Sequence, residues 1–287
     1  MKRILRVFFI VSAVLFLFSC ERKEESPEYF ESVLLEDVQF ESDYLEDGVA
    51  TYNIYLPADY ESSGKKYPVL YLFHGVTDNH SAWNSKGKVK EITDKAIKEG
   101  TVSPFIIVMP DGFNCFYVNG AKNVDGKQEG NDWESYYWKE LRPHIENTYP
   151  VKKGRENTAI AGNSMGGYGA MYYSFNYPSR FCFCYTMSAA VDNIGIFIDR
   201  KLPSLEEIFN KRGYDETVYD RLPHFVMDCG KADILSIGFN EKTHKYLDSA
   251  CFSHTLNIRN GIHDWSFWRE SYERMLPYLA THFGDSK

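Results

Sequence analysis

The sequence has no C-x-x-C pair and no histidines at a zinc-ligand spacing, which argues against a bound structural metal. It has no internal repeat and no low-complexity block, which sets aside solenoid and disordered architectures. Positive charge is the minority: 32 Lys and Arg stand against 40 Asp and Glu, a net charge of −8. That balance argues against nucleic acid as a partner. Cysteine is sparse at six residues. If Cys20 is lipidated, the remaining five are Cys115, Cys182, Cys184, Cys229 and Cys251, so at least one stays unpaired within the chain. Cys182 and Cys184 lie two apart on a predicted strand, share a face, and read as small core residues.

What is abundant points to a globular enzyme-sized domain. Hydrophobic residues make up 44% of the 287, and aromatics 16%, with 21 Tyr and 20 Phe. The length suits one large α/β domain better than two small ones.

The first residues read as an export signal rather than as part of the fold. Lys2, Arg3 and Arg6 precede an almost wholly apolar run at 7–18, too short for a comfortable membrane span. Leu17-Phe18-Ser19-Cys20 resembles a bacterial lipobox, with Cys20 as the lipidated residue and the lipid as membrane anchor. Phe18 is larger than usual at its position, and an ordinary secretory signal or uncleaved anchor is the alternative. Residues 20–32 are polar, without apolar periodicity, and read as a flexible tether. The folded domain is expected over 33–287.

Strand-like runs occur at 38–40 and 50–55, with Asp47-Gly48 as a hairpin turn between them. Unbroken apolar runs at 68–73 and 105–109 are typical of interior parallel strands. Further strands are predicted at 158–161, 181–187, 224–227 and 255–258. Helices are predicted over 88–100, 133–149, 165–176, 204–211, 240–249 and 266–283. Residues 192–222 interrupt the rhythm as a variable insertion. Strands alternating with helices predict an α/β fold, a mainly parallel central sheet with helices on both faces.

Chemistry enters at Gly162-Asn163-Ser164-Met165-Gly166, a G-x-S-x-G pattern expected by chance about 0.1 times in a chain of this length. It follows a short apolar strand and opens a helix, the context of a nucleophile elbow. A serine is a weak nucleophile until a base removes its proton. In this architecture an acid and a histidine follow the serine on loops leaving later strands. Asp233 and His263 occupy such loops, so Ser164, Asp233 and His263 are the candidate catalytic residues. Asp228 and Asp264 are the rival acids, the first at a strand end and the second close to His263 in sequence. His224 begins a strand and His254 sits inside or before one, so neither lies on the right loop for the base. The backbone N–H of Met165 and that of Val76 are the candidate oxyanion donors; His74 reads as a buttress of the Val76 loop. A base must be neutral to act, so activity is expected to decline in mild acid. The chemistry needs no cofactor.

Tyr55-Leu56-Pro57, the run 67–75, Met109-Pro110-Asp111-Gly112, the run 162–170, Cys229-Gly230-Lys231-Ala232-Asp233 and His263-Asp264-Trp265 together resemble the putative-esterase group of α/β-hydrolases. That group includes feruloyl and acetylxylan esterases, with S-formylglutathione hydrolases and mycolyltransferases as related branches. The resemblance implies the α/β-hydrolase fold, and it places nucleophile, acid and base on Ser164, Asp233 and His263. Asn163 and Ile262 depart from its usual small or apolar residue and glycine, which alters the rim of the site. Trp83, Phe116, Tyr117, Trp265 and Trp268 are candidates to stack on a phenolic or sugar ring, or else are core. The function expected is an exported serine carboxylesterase acting on feruloyl or acetyl esters of plant-type polysaccharides. A glycan-binding lipoprotein without turnover and an acyltransferase are the alternatives.

Overall fold

Five successive apolar residues with no polar alternation require both faces of a strand to be covered, and this requirement shapes the molecule. A computed structural model describes residues 31–120, 131–190 and 201–284. Its eight strands form one sheet in the order β1-β2-β4-β3-β5-β6-β7-β8. They are β1 (Val33–Glu41), β2 (Val49–Leu56), β3 (Val69–Phe73), β4 (Ile106–Pro110), β5 (Thr158–Asn163), β6 (Phe183–Met187), β7 (His224–Gly230) and β8 (His254–Arg259). β1 and β2 pair antiparallel, as do β2 and β4, and all pairs from β4 to β8 are parallel.

Every residue of β3, β4, β5 and β6 is buried. Alternate side chains feed two cores. Tyr71 and Phe73 join one face with Trp133, Tyr137 and Tyr173, and Leu70 and Leu72 join the other with Trp83, Trp268 and Tyr272. The first face is covered by α3 (Trp133–Tyr136), α4 (Arg142–Thr148), α5 (Met165–Asn176), α6 (Leu205–Arg212) and α7 (Ile237–Ser249). A π-helical stretch, Tyr137–Leu141, joins α3 to α4 in the single helical run expected over 133–149. The second face carries α1 (Ala82–Ser85), α2 (Val89–Lys98) and α8 (Trp265–His282). The fold is the α/β arrangement expected. Each wholly buried aromatic side chain contributes about 1.5–3 kcal/mol to holding these layers together.

Within the expected insertion, α6 is a locally encoded helix. Ser204 and Glu207 form a reciprocal capping box, and Gly213 ends the helix at φ +64°, a conformation glycine adopts at little cost. Residues 192–200 of the insertion, and the predicted signal and most of the tether at 1–30, lie outside the described residues. Cys115, Cys182, Cys184 and Cys229 are buried, and Cys251 is exposed. Burial pushes the Cys182 and Cys184 thiols up to about 12, in keeping with inert core residues.

Candidate active site

Ser164 sits one residue beyond β5 and caps the start of α5. Its backbone takes φ +51° and ψ −117°, an arrangement that costs a non-glycine residue on the order of 1–3 kcal/mol. The surroundings hold it there. Ser164 N–H donates to the Met187 carbonyl at 2.8 Å, and its own carbonyl accepts from Tyr168 N–H at 3.0 Å. Glycines let the turn close: a Cβ on Gly166 would stand 2.4 Å from the Phe73 carbonyl oxygen, and one on Gly162 would stand 2.4 Å from Gly166. Only hydrogen fits where α5 crosses the ends of β3 and β5.

Asp233 and His263 arrive on neighbouring loops that are laced together. Lys231 N–H donates to Arg259 O at 2.7 Å, and Ala232 N–H to Gly261 O at 3.0 Å. A Cβ on Gly230 would stand 2.6 Å from that same Gly261 oxygen. This backbone ladder continues the β7–β8 pairing past the strand ends and brings the two side chains together. His263 Nδ1 lies 2.8 Å from Asp233 Oδ2, and Nε2 lies 2.9 Å from Ser164 Oγ. Asp233 is fully buried, and its Oδ1 accepts the N–H groups of Leu235 and Ser236 at 3.2 and 3.1 Å. Burial alone would raise its pKa, but the hydrogen bonds from His263 and Ser236 outweigh it and hold the carboxyl below its ordinary value. The His263 imidazole packs edge-on against Trp268 with ring centres 5.0 Å apart.

The rival residues have other partners. Asp228 is fully buried and receives Arg259 Nε at 3.0 Å and the Tyr185 hydroxyl at 3.1 Å. Asp264 caps α8 by accepting Phe267 N–H at 2.9 Å. His224 stacks on His282 with centres 4.3 Å apart, and His254 meets His244 at 2.8 Å.

The loop carrying Val76 abuts the serine, since a Cβ on Gly75 would stand 3.4 Å from Ser164 Cβ. His74 braces this loop. Its Nε2 accepts Gly112 N–H at 2.8 Å, so Nδ1 bears the proton and donates to Gly75 O at 2.8 Å. Tyr117 hydroxyl donates to His74 O at 2.9 Å, and Thr77 N–H donates to Asn114 Oδ1 at 2.8 Å. Among the described residues, neither Met165 N–H nor Val76 N–H has an acceptor.

The five aromatic candidates divide. Trp83 is 1% exposed and its indole donates to Phe73 O at 2.9 Å. Tyr117 is wholly buried against Phe73, stacked at 4.2 Å, and Phe116 is 3% exposed. These three are core, a correction to the expectation that they stack on substrate: a ring with no free face cannot receive another. Trp268 is 7% exposed and backs His263, so it too is packing. Trp265 alone is half-buried, tethered through its indole N–H to Asp78 Oδ2 at 3.2 Å.

The sequence singles out Ile262 as a residue that alters the rim, but not its exposed aliphatic companions Ile234 and Leu235. Ile234, Leu235 and Ile262 are 87%, 49% and 53% exposed, each within two residues of Asp233 or His263. Their signal was adjacency: large aliphatic residues beside polar site residues on loops, where burial was not available. It also passed over Asp111, whose Oδ2 holds His80 Nδ1 at 3.1 Å and whose carbonyl accepts the Trp133 indole at 2.9 Å. Asp111 is thereby tied into the wall behind the Val76 loop.

A mainly parallel eight-stranded sheet with a strained serine turn at one strand end, and a carboxylate-bound imidazole facing it, defines an α/β-hydrolase. Within that class the chain belongs to the family described as "Putative esterase", whose model matches residues 45–279. It is 35% identical over 135 residues to an endo-1,4-beta-xylanase/feruloyl esterase of Xylanibacter ruminicola, covering 46% of this chain and 18% of that protein. It is 37% identical over 131 residues to Esterase Rv1288 of Mycobacterium tuberculosis, covering 45% of this chain and 26% of that one. The chain thus spans only a minor part of the length of these two relatives. Among solved structures, a ferulic acid esterase superposes with a TM-score of 0.76 at 31% identity, covering 89% of this chain and 100% of its own. A ferulic acid esterase of Anaeromyces mucronatus with ferulic acid bound gives 0.70 at 23% identity, over 91% and 94% of the two chains, a likeness of fold.

Proposed function

We propose that this chain is an exported serine carboxylesterase that removes acyl groups, feruloyl or acetyl, from plant-type polysaccharides. The observation that carries the catalytic reading is the continuous relay from Asp233 through His263 to Ser164, with contacts of 2.8 and 2.9 Å. The Asp233 carboxylate can only accept, so it retains the proton on Nδ1 and leaves a lone pair on Nε2 facing the serine hydroxyl. As Ser164 Oγ bonds to the ester carbonyl carbon, its proton passes to Nε2. The resulting oxyanion takes hydrogen bonds from the N–H groups of Met165 and Val76. Collapse breaks the bond to the sugar oxygen, which leaves with the proton from Nε2. Water then repeats the sequence on the acyl-enzyme, giving the free acid and restoring Ser164.

The acyl side is supported by the exposed aliphatic rim of Ile234, Leu235 and Ile262, which suits a flat phenolic acyl group better than acetyl alone. The similarity to proteins named as feruloyl or ferulic acid esterases supports the same reading. Export through a lipid on Cys20 is supported by the charged start, the apolar run and the lipobox-like residues; an anchored enzyme suits a polymer too large to enter a cell.

The test compares methyl ferulate, acetylated xylan and p-nitrophenyl acetate as substrates, with fluorophosphonate labelling alongside. Ser164→Ala is expected to abolish labelling and to lower kcat by about 10⁴–10⁶. Undiminished turnover in that variant would refute the mechanism.

A further inference from the structure

A second cluster of ligating side chains lies at the other end of β8 from His263. His244 and Asp248 stand one turn apart on α7, and His254 is the first residue of β8. The turn between the two elements brings them together. One possible ligand atom from each lies within 4.8 Å of the other two. His244 Nδ1 is 2.8 Å from His254 Nε2, and His244 Nε2 is 3.3 Å from Asp248 Oδ2. Asp248 Oδ1 is 3.8 Å from His254 Nε2.

The orientation of His254 is the informative detail. Its side chain is 3% exposed, and its Nδ1 lies 2.8 Å from the Phe252 carbonyl oxygen. A carbonyl only accepts, so Nδ1 carries the proton and the neutral ring aims its Nε2 lone pair into the cluster. Metal-binding imidazoles are held in this way, with the far nitrogen donating to a carbonyl or carboxylate. The Asp248 carboxylate faces the same point. Among the described residues its ionic partners are these two imidazoles alone. His254 Nε2 therefore accepts a hydrogen bond from the His244 Nδ1 proton at 2.8 Å, and a cation entering between the two imidazoles and the Asp248 carboxylate takes the place of that proton.

We propose that His244, Asp248 and His254 form a binding site for a divalent metal ion of the zinc class. Two imidazoles and one carboxylate suit a borderline ion such as Zn²⁺, which takes nitrogen and oxygen ligands at about 2.0–2.2 Å. The set has too few oxygens for calcium. His244 and Asp248 lie towards solvent at the end of α7, with side chains 38% and 62% exposed, so they can close on an ion, and water completes the shell. The ion ties the last turn of α7 to the first residue of β8. Six residues of β8 at about 3.3 Å each separate it from the catalytic edge, so its role is structural and no step of acyl transfer passes through it. The linear sequence carries no zinc pattern because the third ligand comes from a different element.

The test is equilibrium dialysis of the chelator-treated full chain against Zn²⁺, with melting temperature followed in parallel. Wild type is expected to take up one ion per chain at this site and to melt at a higher temperature with zinc than without it. Asp248→Asn and His244→Gln change partly exposed positions and should fold. Each should weaken zinc binding at this site at least tenfold, remove the zinc-dependent rise in melting temperature, and leave ester hydrolysis unchanged. Bound Co²⁺ should give a visible absorption band that His244→Gln alters. Failure of wild type to bind zinc, or equal binding by both variants, overturns the proposal.

Discussion

The Asp233 carboxylate meets the His263 imidazole at 2.8 Å through one oxygen, while two N–H groups of its own loop, from Leu235 and Ser236, hold the other. The acid is therefore fixed before the histidine reaches it, and the imidazole is oriented by a rigid partner rather than by a mobile one. Replacing Asp233 by Asn should let Nδ1 lose its proton and point the wrong tautomer at Ser164. We expect kcat to fall by about 10⁴ with KM little changed, measured by steady-state hydrolysis of methyl ferulate. A loss below tenfold would mean the carboxylate is dispensable.

The same contacts set a pH expectation. The folded Asp233 carboxyl lies below its ordinary value, so it stays ionised where exposed carboxyls take up protons. The acid limb of kcat/KM should then show no step from the Asp233 carboxyl in the usual carboxylate range near pH 4. On stability, the sign is that of a depressed acid: the contribution of Asp233 is full above the unfolded value and fades as pH falls through the folded one. A pH–rate profile with a limiting acid slope of two near pH 4 would contradict this.

His80 and Asp111 form a pair with opposite signs. Burial lowers the His80 pKa, but hydrogen bonds to Asp111 and Asp37 outweigh it and the net shift is upward. Burial raises the Asp111 pKa, yet hydrogen bonds including those from His80 and Phe113 N–H carry it well below the carboxylate range. The His80 contribution is complete below the ordinary imidazole value and is lost as pH rises through the raised one. The Asp111 contribution is complete above the ordinary carboxylate value and is lost as pH falls. The pair should therefore stabilise most between about pH 4 and 6.5. His80→Gln is expected to cost about 1–3 kcal/mol there and less above pH 8, read from urea unfolding at each pH.

Gly166 tests the crossing of α5 over β3. A methyl group there would press on the Phe73 and His74 carbonyls at 2.4 and 2.6 Å. Backbone atoms cannot rotate away, so Gly166→Ala should cost about 1–3 kcal/mol and displace the loop that leads to Val76. Thermal unfolding and kcat should fall together. A variant with wild-type melting temperature and rate would show that the crossing has slack.

The aliphatic rim tests acyl choice. Ile262 is 53% exposed beside His263. Covering half of such a side chain with a phenolic ring is worth about 1 kcal/mol. Ile262→Gly should reduce kcat/KM for methyl ferulate several-fold relative to p-nitrophenyl acetate. An unchanged ratio would remove Ile262 from the acyl-binding surface.

Much of the fold was legible because its signals are local. The buried strands β3 and β4 announce themselves as unbroken apolar runs, and the α6 helix carries its own capping box at Ser204 and Glu207. Element ends were less legible. α7 begins at Ile237 rather than near residue 240, and β1 extends over Val33–Glu41 rather than 38–40 alone. β1 shifts register between Leu35 and Val38, which breaks the alternation that a sequence pattern relies on.

At the site, Ser164, Asp233 and His263 could be singled out because chain order and loop position constrain them. Trp83, Phe116 and Tyr117 could not be sorted the same way. An aromatic side chain looks the same in sequence whether it faces a ligand or fills a core, and only its neighbours decide. The Trp83 indole finds the Phe73 carbonyl and the Tyr117 hydroxyl finds that of His74, and these partners lie ten and forty-three residues away.

By itself, then, the order of residues determined the strand–turn–helix at Ser164, the alternating α/β rhythm and the candidates for acid and base, since each is set by contacts within a few residues. Only the tertiary structure decided which rings are buried, which aliphatic residues stand open at the rim, and that His254 meets His244 and Asp248. Those outcomes depend on packing and lone-pair direction between segments far apart in the chain, and no local pattern encodes them.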